Sequence, residues 1–351
     1  MCFFIYLRLT MADINVKDYA YSNARIRGMK SRLLDKREFE KGCGLDDLSA
    51  FVGFLEDNGY LELFDLKEHS QGVVEQILFR HLVENRRVVC GLSCDRCRDF
   101  MCERVRRPEI TAIKGLINSK PGNRAPFEIA LTDELRNRFN QIRDAQDMER
   151  LISLFEDTRY GQTLTSAMED YRKDGLTFPL IISLDKYHFS RLLTTMNSFE
   201  NTDRRLAYEI TGAEADTINI MTSLRTLGMK GAKKYMLPHH HHIGRELLDD
   251  CIKSRNVADV LDKLSGTVYA DSLNLGLKEY NETKSLFAFE KSLKKYFIRL
   301  NRMMLITKTF NISTQLSFLA LKENEIDNLR KIAVGLSNNL PRDGIKELLI
   351  Y

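Results

Sequence analysis

Apolar side chains recur along this chain at steps of three and four, the spacing that lines them up on one stripe of an α-helix. The clearest stripe runs through Met148–Ala167. Measured from Tyr160, apolar residues stand twelve, nine, eight and five positions earlier (Met148, Leu151, Ile152, Phe155) and four later (Leu164). The same offsets from Tyr60 give Leu48, Phe51, Val52, Leu55 and Phe64. From Tyr269 they give Val257, Val260, Leu261, Leu264 and Leu273. One stripe marks only a core helix, whereas a register kept over separate elements marks a repeat. Ser183-Leu184-Asp185-Lys186-Tyr187 returns as Ser292-Leu293-Lys294-Lys295-Tyr296, and Asn219-Ile220 returns as Asn328-Leu329. Both shifts, and that from Tyr160 to Tyr269, are 109 residues, so the unit is duplicated. A first copy is shorter: its tyrosine lies 100 residues before Tyr160, and Ala112 lies 107 before Asn219.

The elements between these anchors also read as helices. The stretch 19–34 is a helix with a basic flank, Arg25, Arg27, Lys30 and Arg32. That flank is a candidate contact for an acidic partner and otherwise a solvated face. Cys43-Gly44 breaks the chain before the first stripe. Gly72–Val89 is amphipathic, with Val73, Val74, Ile77, Leu78 and Leu82 inward. Pro108 opens a helix through Leu116 and Pro179 another carrying Leu184, Tyr187 and Leu192. Thr283–Phe310 reads as one long helix, and Glu325–Leu336 and Gly344–Leu349 close the chain. Pro121–Pro126 and Leu227–Pro238 read as linkers. Only six prolines occur, none of them between residues 1 and 107 or between 239 and 340, and no run alternates with period two. The expected fold is all-α. It comprises an N-terminal extension with a first helical unit (1–122), a second unit (123–231) and a third (232–351). Residues 1–10 precede a second methionine, Met11, match nothing in the later copies, and read as a frayed tail or an upstream start.

Composition narrows the function more than the fold. Apolar residues make up 43% of the chain, enough for a sizeable core and too many for disorder. A net charge of +4 with 29% charged residues is a mildly basic, solvated surface that does not call for nucleic acid. No apolar run approaches the roughly 20 residues that span a bilayer. Met1–Leu7 is apolar but too short, and lacks the basic and small-residue flanks of a signal peptide. Seven cysteines, an odd number in a large chain, indicate reduced thiols in a cytosolic setting.

Two clusters resemble chemistry. Cys90-x3-Cys94-x2-Cys97, with Cys102 as a possible fourth ligand, has the spacing by which radical S-adenosylmethionine enzymes hold a four-iron cluster. That class needs a β/α barrel, and the aromatic expected before the third cysteine is replaced by Arg96, so the segment reads as a cysteine-rich helical connection. His239–His242 reads as a polar loop that binds a transition metal only adventitiously. No phosphate-cradling glycine loop and no His-Glu-x-x-His is present. Nothing in these patterns points to a catalytic residue, a cofactor or a metal site.

Several segments, taken in order, carry a family resemblance. Tyr19–Leu34, YAYSNARIRGMKSRLL, resembles the opening of the C subunit of archaeal A-type and bacterial V-type ATP synthases, the counterpart of the eukaryotic V-ATPase d subunit. Thr158-Arg-Tyr160-Gly, Leu184-Asp-Lys-Tyr187, Asn219-Ile-Met-Thr-Ser-Leu-Arg225, Asn328-Leu-Arg-Lys331 and the closing Leu340-Pro-Arg-Asp are similar to that family's recurring segments. The likeness covers about residues 15–351; the cysteine cluster, the histidine run and residues 1–10 have no counterpart. It implies three similar helical bundles arranged as a pseudo-threefold funnel. The implied role is that of a non-enzymatic central-stalk rotor component, peripheral on the cytoplasmic face of the cell membrane. The implied partners are the membrane proteolipid ring and the D and F proteins of the central axle, with no nucleic acid and no small-molecule substrate. The competing readings are a helical-repeat scaffold unrelated to ATPases, which would be an open solenoid, and an iron–sulfur enzyme using the cysteines.

Overall fold

The computed structural model describes residues 16–60, 70–120, 128, 131–199 and 201–351. All regular structure among them is helical. The first part of the chain forms α1 (Val16–Lys30), α2 (Lys36–Gly42), α3 (Leu48–Asp57), α4 (Gln71–Gly91), α5 (Asp95–Arg104) and α6 (Arg107–Asn118). The middle forms α7 (Asp133–Arg136), α8 (Phe139–Asp144), α9 (Met148–Ser153), α10 (Gly161–Asp174), α11 (Phe178–Thr195) and α12 (Asn201–Arg225). The last part forms α13 (Arg245–Ile252), α14 (Val257–Lys263), α15 (Ala270–Thr283), α16 (Phe287–Thr307), α17 (Ile312–Ser337) and α18 (Arg342–Leu348).

The stripe helices α3, α9 and α14 start alike because each has an oxygen-bearing cap at the same register. Asp47 accepts from the Ala50 N–H at 2.8 Å, Asp147 from Arg150 at 2.7 Å and Asn256 from Asp259 at 2.9 Å. Their stripe residues face inward: Phe51, Leu55, Leu151, Phe155, Val260 and Leu264 are buried. Three cores result, and each draws on two copies. Phe51, Leu55, Tyr60 and Ile77 pack with Leu329 and Ile332 of α17. Leu151, Phe155 and Tyr160 pack with Ile113 and Leu116 of α6. Leu264, Tyr269 and Phe289 pack with Ile220 and Leu224 of α12. A further core joins Tyr19 and Ile26 of α1 to Phe100, Leu206 and Phe318.

Several boundaries differ from the sequence reading. The helix expected over 19–34 stops at Lys30, because Asp35 and Glu38 form a capping box that starts α2. The long helix expected over Thr283–Phe310 is α16, shorter at both ends: α15 ends at Thr283, Lys284 turns left-handed with φ +56°, and α16 runs from Phe287 to Thr307. The closing helix is longer than Glu325–Leu336 and begins at Ile312. Its first turns are buried all round, with polar Ser313, Thr314, Gln315 and Ser317 beside apolar Ile312, Leu316 and Leu319, so no solvated face sets the stripe off. The stretch 227–238 is packed rather than a loose linker. Gly228 and Gly231 bend it at φ +77° and +76°, and Tyr235 and Leu237 bury against α11. The His239–His242 run is the loop expected, but it is packed at one end: His239 is buried against Phe189 and Tyr208, and His242 is exposed. Phe64, the Pro121–Pro126 segment and residues 1–10 lie outside the described residues.

The C-terminal turns of α10 and α15 make a controlled comparison. Gly175 ends α10 at φ +71° and Lys284 ends α15 at φ +56°. A left-handed L-residue costs roughly 1–2 kcal/mol, and glycine's extra freedom in the unfolded chain returns about half of that. Lys284→Gly is therefore expected to stabilise the protein by about 0.5–1 kcal/mol, read as a higher urea midpoint. A lower midpoint would mean that the Lys284 ammonium over the Tyr280 ring, 5.6 Å away, outweighs the backbone term.

Candidate functional site

The stripe tyrosines do more than fill cores. Each donates its hydroxyl proton to a buried carboxylate on the helix that closes another copy. Tyr160 donates to Glu109 of α6 at 2.7 Å, Tyr269 to Asp216 of α12 at 2.8 Å, and Tyr60 to Glu325 of α17 at 2.5 Å. The three carboxylates are at most 3% exposed. Each also accepts backbone N–H groups from the segment leading into the tyrosine's own copy. Glu109 takes Thr132 at 3.0 Å, Asp216 takes His241 at 2.9 Å and His242 at 2.7 Å, and Glu325 takes Leu34 at 2.7 Å. A buried carboxylate is tolerable only when so satisfied, and Glu325 is further paired with buried Lys322. Burial first, and then the facing carboxylate, push all three phenols above their ordinary range, so they stay protonated donors. An aromatic partner repeats as well: Tyr60 meets His81, Tyr160 meets Tyr187 and Tyr269 meets Tyr296, with ring centroids 4.4, 5.5 and 4.9 Å apart. Asn219 and Asn328 add backbone clamps, Asn219 on Leu237 and His239, Asn328 on Ile350.

The same three helices surround a central cavity of about 550 Å³. Its lining repeats in the register of the sequence: Arg107, Glu214 and Glu323 at one level, Lys114, Met221 and Arg330 at another. At the first level Arg107 pairs with Glu214, Arg86 with Glu323 at 2.7 Å, and Arg104 lies 3.7 Å from both acids. Burial acts to raise the Glu323 pKa, but Arg104, Arg86 and Arg107 overcome it and hold the carboxyl down at about 2. His188, buried beside these cations, is driven well below its ordinary value by burial and then by Arg107, so it is neutral. Each joint between copies carries an ion pair: Lys114 with Asp185, Arg225 with Glu290 at 2.6 Å, and Arg330 with Glu75 at 3.8 Å. The exposed Arg225–Glu290 pair adds little stability, whereas the buried arginine–glutamate cluster is costly to break.

The sequence-derived candidates fall elsewhere. Arg25 and Arg27 stand exposed on α1, Lys30 half-buried at its end and Arg32 exposed in the turn after it. None of the four has an ion-pair partner among the described residues. They do not join the central cavity. Cys90 lies in the last turn of α4, Cys94 caps α5 and Cys97 lies in the first turn of α5, all three as free thiols. Glu109, Asp216 and Glu325 carry no signal of their own in the sequence. Their one mark is spacing: they stand 107 and 109 residues apart, in the register of the repeat.

Sequence comparison with known proteins covers nearly the whole chain. A family model described as ATP synthase (C/AC39) subunit matches residues 22–348. The A-type ATP synthase C subunit of Methanocaldococcus jannaschii is 27% identical over 97% of this chain and 88% of its own. Proteins of the same description from Methanothermobacter thermautotrophicus (26%, over 94% of this chain and 87% of that one) and Halorubrum lacusprofundi (25%, over 97% and 99%) are similar throughout.

Two substitutions probe this geometry. Tyr160→Phe removes one proton donor from a buried carboxylate and is expected to cost about 2–3 kcal/mol in denaturant unfolding, with the same direction for Tyr60→Phe and Tyr269→Phe. A cost below about 0.5 kcal/mol in all three would show that the links are incidental. Glu323→Gln strands Arg86 and Arg104 and is expected to cost about 3 kcal/mol at neutral pH. Because the folded pKa is depressed to about 2, the Glu323 contribution is complete above the unfolded pKa of about 4.5 and fades as pH falls toward 2. The stability gap between wild type and Glu323→Gln should narrow across that window; a gap independent of pH would refute the assignment.

Proposed function

Because the chain belongs to the ATP synthase (C/AC39) subunit family, we propose that it works as the C subunit of an A-type ATP synthase, a non-catalytic part of the rotor. It couples the membrane proteolipid ring to the central axle, so that ion flow through the ring drives ATP synthesis in the catalytic head, or ATP hydrolysis drives ion pumping. In this reading the units 1–122, 123–231 and 232–351 form a shallow pseudo-threefold funnel. The concave side takes the end of the axle, built from the D and F proteins, and the opposite side rests on the ring at the cytoplasmic face of the membrane. Arg25, Arg27, Lys30 and Arg32 make a contact with an acidic partner surface.

The observation that supports the reading most is the cavity walled by equivalent positions of α6, α12 and α17. A central socket needs walls from every unit, and a torque-bearing one needs joints that do not yield. Buried tyrosine–carboxylate links and close-packed shared cores supply such joints. No helix among the described residues is long and apolar enough to cross a membrane, which suits a component that sits on the ring rather than within it.

The test is ion pumping by a reconstituted complex of ring, axle and head, with and without this chain. Coupled pumping is expected only when the chain is present. Coupling that persists without it would overturn the rotor reading. Reversing the charge at Arg27 and Lys30 together is expected to leave the helical signal and unfolding midpoint unchanged and to weaken docking in the same assay.

A further inference from the structure

We propose that Cys94 and Cys97 form a thiol–disulfide exchange site for small-molecule disulfides, with Cys94 as the attacking thiol and Cys97 as the resolving one. Placement comes first. Cys94 is the N-cap of the ten-residue helix α5 and Cys97 is its third residue, with the Cys97 N–H bonded to the Cys94 carbonyl at 2.9 Å. The three-residue spacing across the first turn sets the two side chains beside each other, as a disulfide between them requires. Their exposures divide the roles: Cys94 is half-buried, and Cys97 is completely buried behind it. An open depression of about 450 Å³ leads to Cys94, walled by Asp18, Ser93, Asp95 and Arg96. A third group converges from α1. The Tyr19 oxygen lies 3.3 Å from Cys97 Sγ and 3.7 Å from Cys94 Sγ, while its proton goes to Asp203 at 2.6 Å.

The surroundings also separate the thiols chemically. Cys94 is drawn down to about 6, chiefly by the hydrogen bond from Cys97, against burial and with help from the Cys97 N–H and Arg96. Cys97 is pushed up by its bond to Cys94 and by burial. The charged groups facing the pair are Asp18 and Tyr19 from α1, Asp95 and Arg96 from α5, and Asp203 from α12. Nearby Cys90 and Cys102 lie 3.4 Å apart, but burial and then the Cys102 bond push Cys90 up to about 12, so Cys94 is the thiol that ionises first.

The step balances as an exchange. The Cys94 thiolate attacks one sulfur of a disulfide RS–SR, forming Cys94–S–SR and expelling RS⁻. Cys97 loses its proton and attacks Cys94 Sγ, closing the Cys94–Cys97 bond and expelling the second RS⁻. Two cysteine thiols are oxidised, one small disulfide is reduced, and the two protons end on the released thiolates. Oxidation alters both sulfurs that touch the Tyr19 oxygen, where α1 is fastened to α5 and α12.

The experiment treats the reduced full-length chain with 2-hydroxyethyl disulfide at pH 7 and maps the products by mass spectrometry. The expected product has lost two hydrogens and links Cys94 to Cys97. Cys97→Ala is expected to stop at the mixed disulfide on Cys94, and Cys94→Ser to remain unmodified at Cys97. Iodoacetamide labelling of the unaltered chain needs no variant and should show Cys94 reacting with a midpoint near pH 6, at least tenfold faster at pH 7 than Cys43 or Cys251. A Cys90–Cys102 link formed first, or a Cys94 midpoint near the ordinary thiol value, would overturn the proposal.

Discussion

The fold depends on one repeated interaction, a buried carboxylate that accepts a tyrosine hydroxyl and backbone N–H groups from the next copy. Glu109, Asp216 and Glu325 each sit where water cannot solvate them, so each must be satisfied by protein. Because the donors come from another copy, the copies cannot separate without stranding an acid. This is a stronger constraint than apolar packing, which tolerates sliding. It fixes which tyrosine meets which helix and so fixes the register of the whole chain. The third link, Tyr60 to Glu325, spans 265 residues and brings the last long helix back onto the first copy.

The charges around the cavity belong to the same economy of placement. Arg86, Arg104 and Arg107 face Glu214 and Glu323, and the helices bearing the cavity acids and Arg107 are those that bear the three linking acids. One face of each of α6, α12 and α17 therefore holds the copies together and a neighbouring face lines the cavity. A substitution at either face strains the other. That coupling suits an element that passes force along rather than one that flexes around a ligand.

The repeat and the all-helical class are legible in the sequence because stripes of period 3.6 survive in the buried positions Leu55, Phe155 and Leu264, each five residues before the tyrosine of its copy. A near-constant offset also connects Glu109, Asp216 and Glu325, so the links are written in the sequence too. They stay hidden because a lone acid in a helix reads as a surface residue. The first half of α17 is hidden for the opposite reason. Ser313, Gln315 and Ser317 look solvated and are buried, so the helix has no wet side against which to recognise it. His239–His242 reads as a polar loop and is one, but periodicity does not record what holds it. Its order comes from Asp216 gripping two of its N–H groups. Boundaries such as Lys284 depend on a single backbone angle that no pattern of polarity records.

The return of α17 onto the first copy has a consequence for how the chain is made. The middle core is complete once Leu184 has been synthesised, and the next once Leu293 has. The core around Phe51, Leu55 and Tyr60 also needs Ile326, Leu329 and Ile332, and the Ile345 and Leu349 that follow them. On the ribosome the first-made copy is thus the last to be finished, and the side of its core that meets α17 waits uncovered through most of translation. Birth order and folding order run against each other. A chain cut short near its C-terminus would lose its shape first at its N-terminal end.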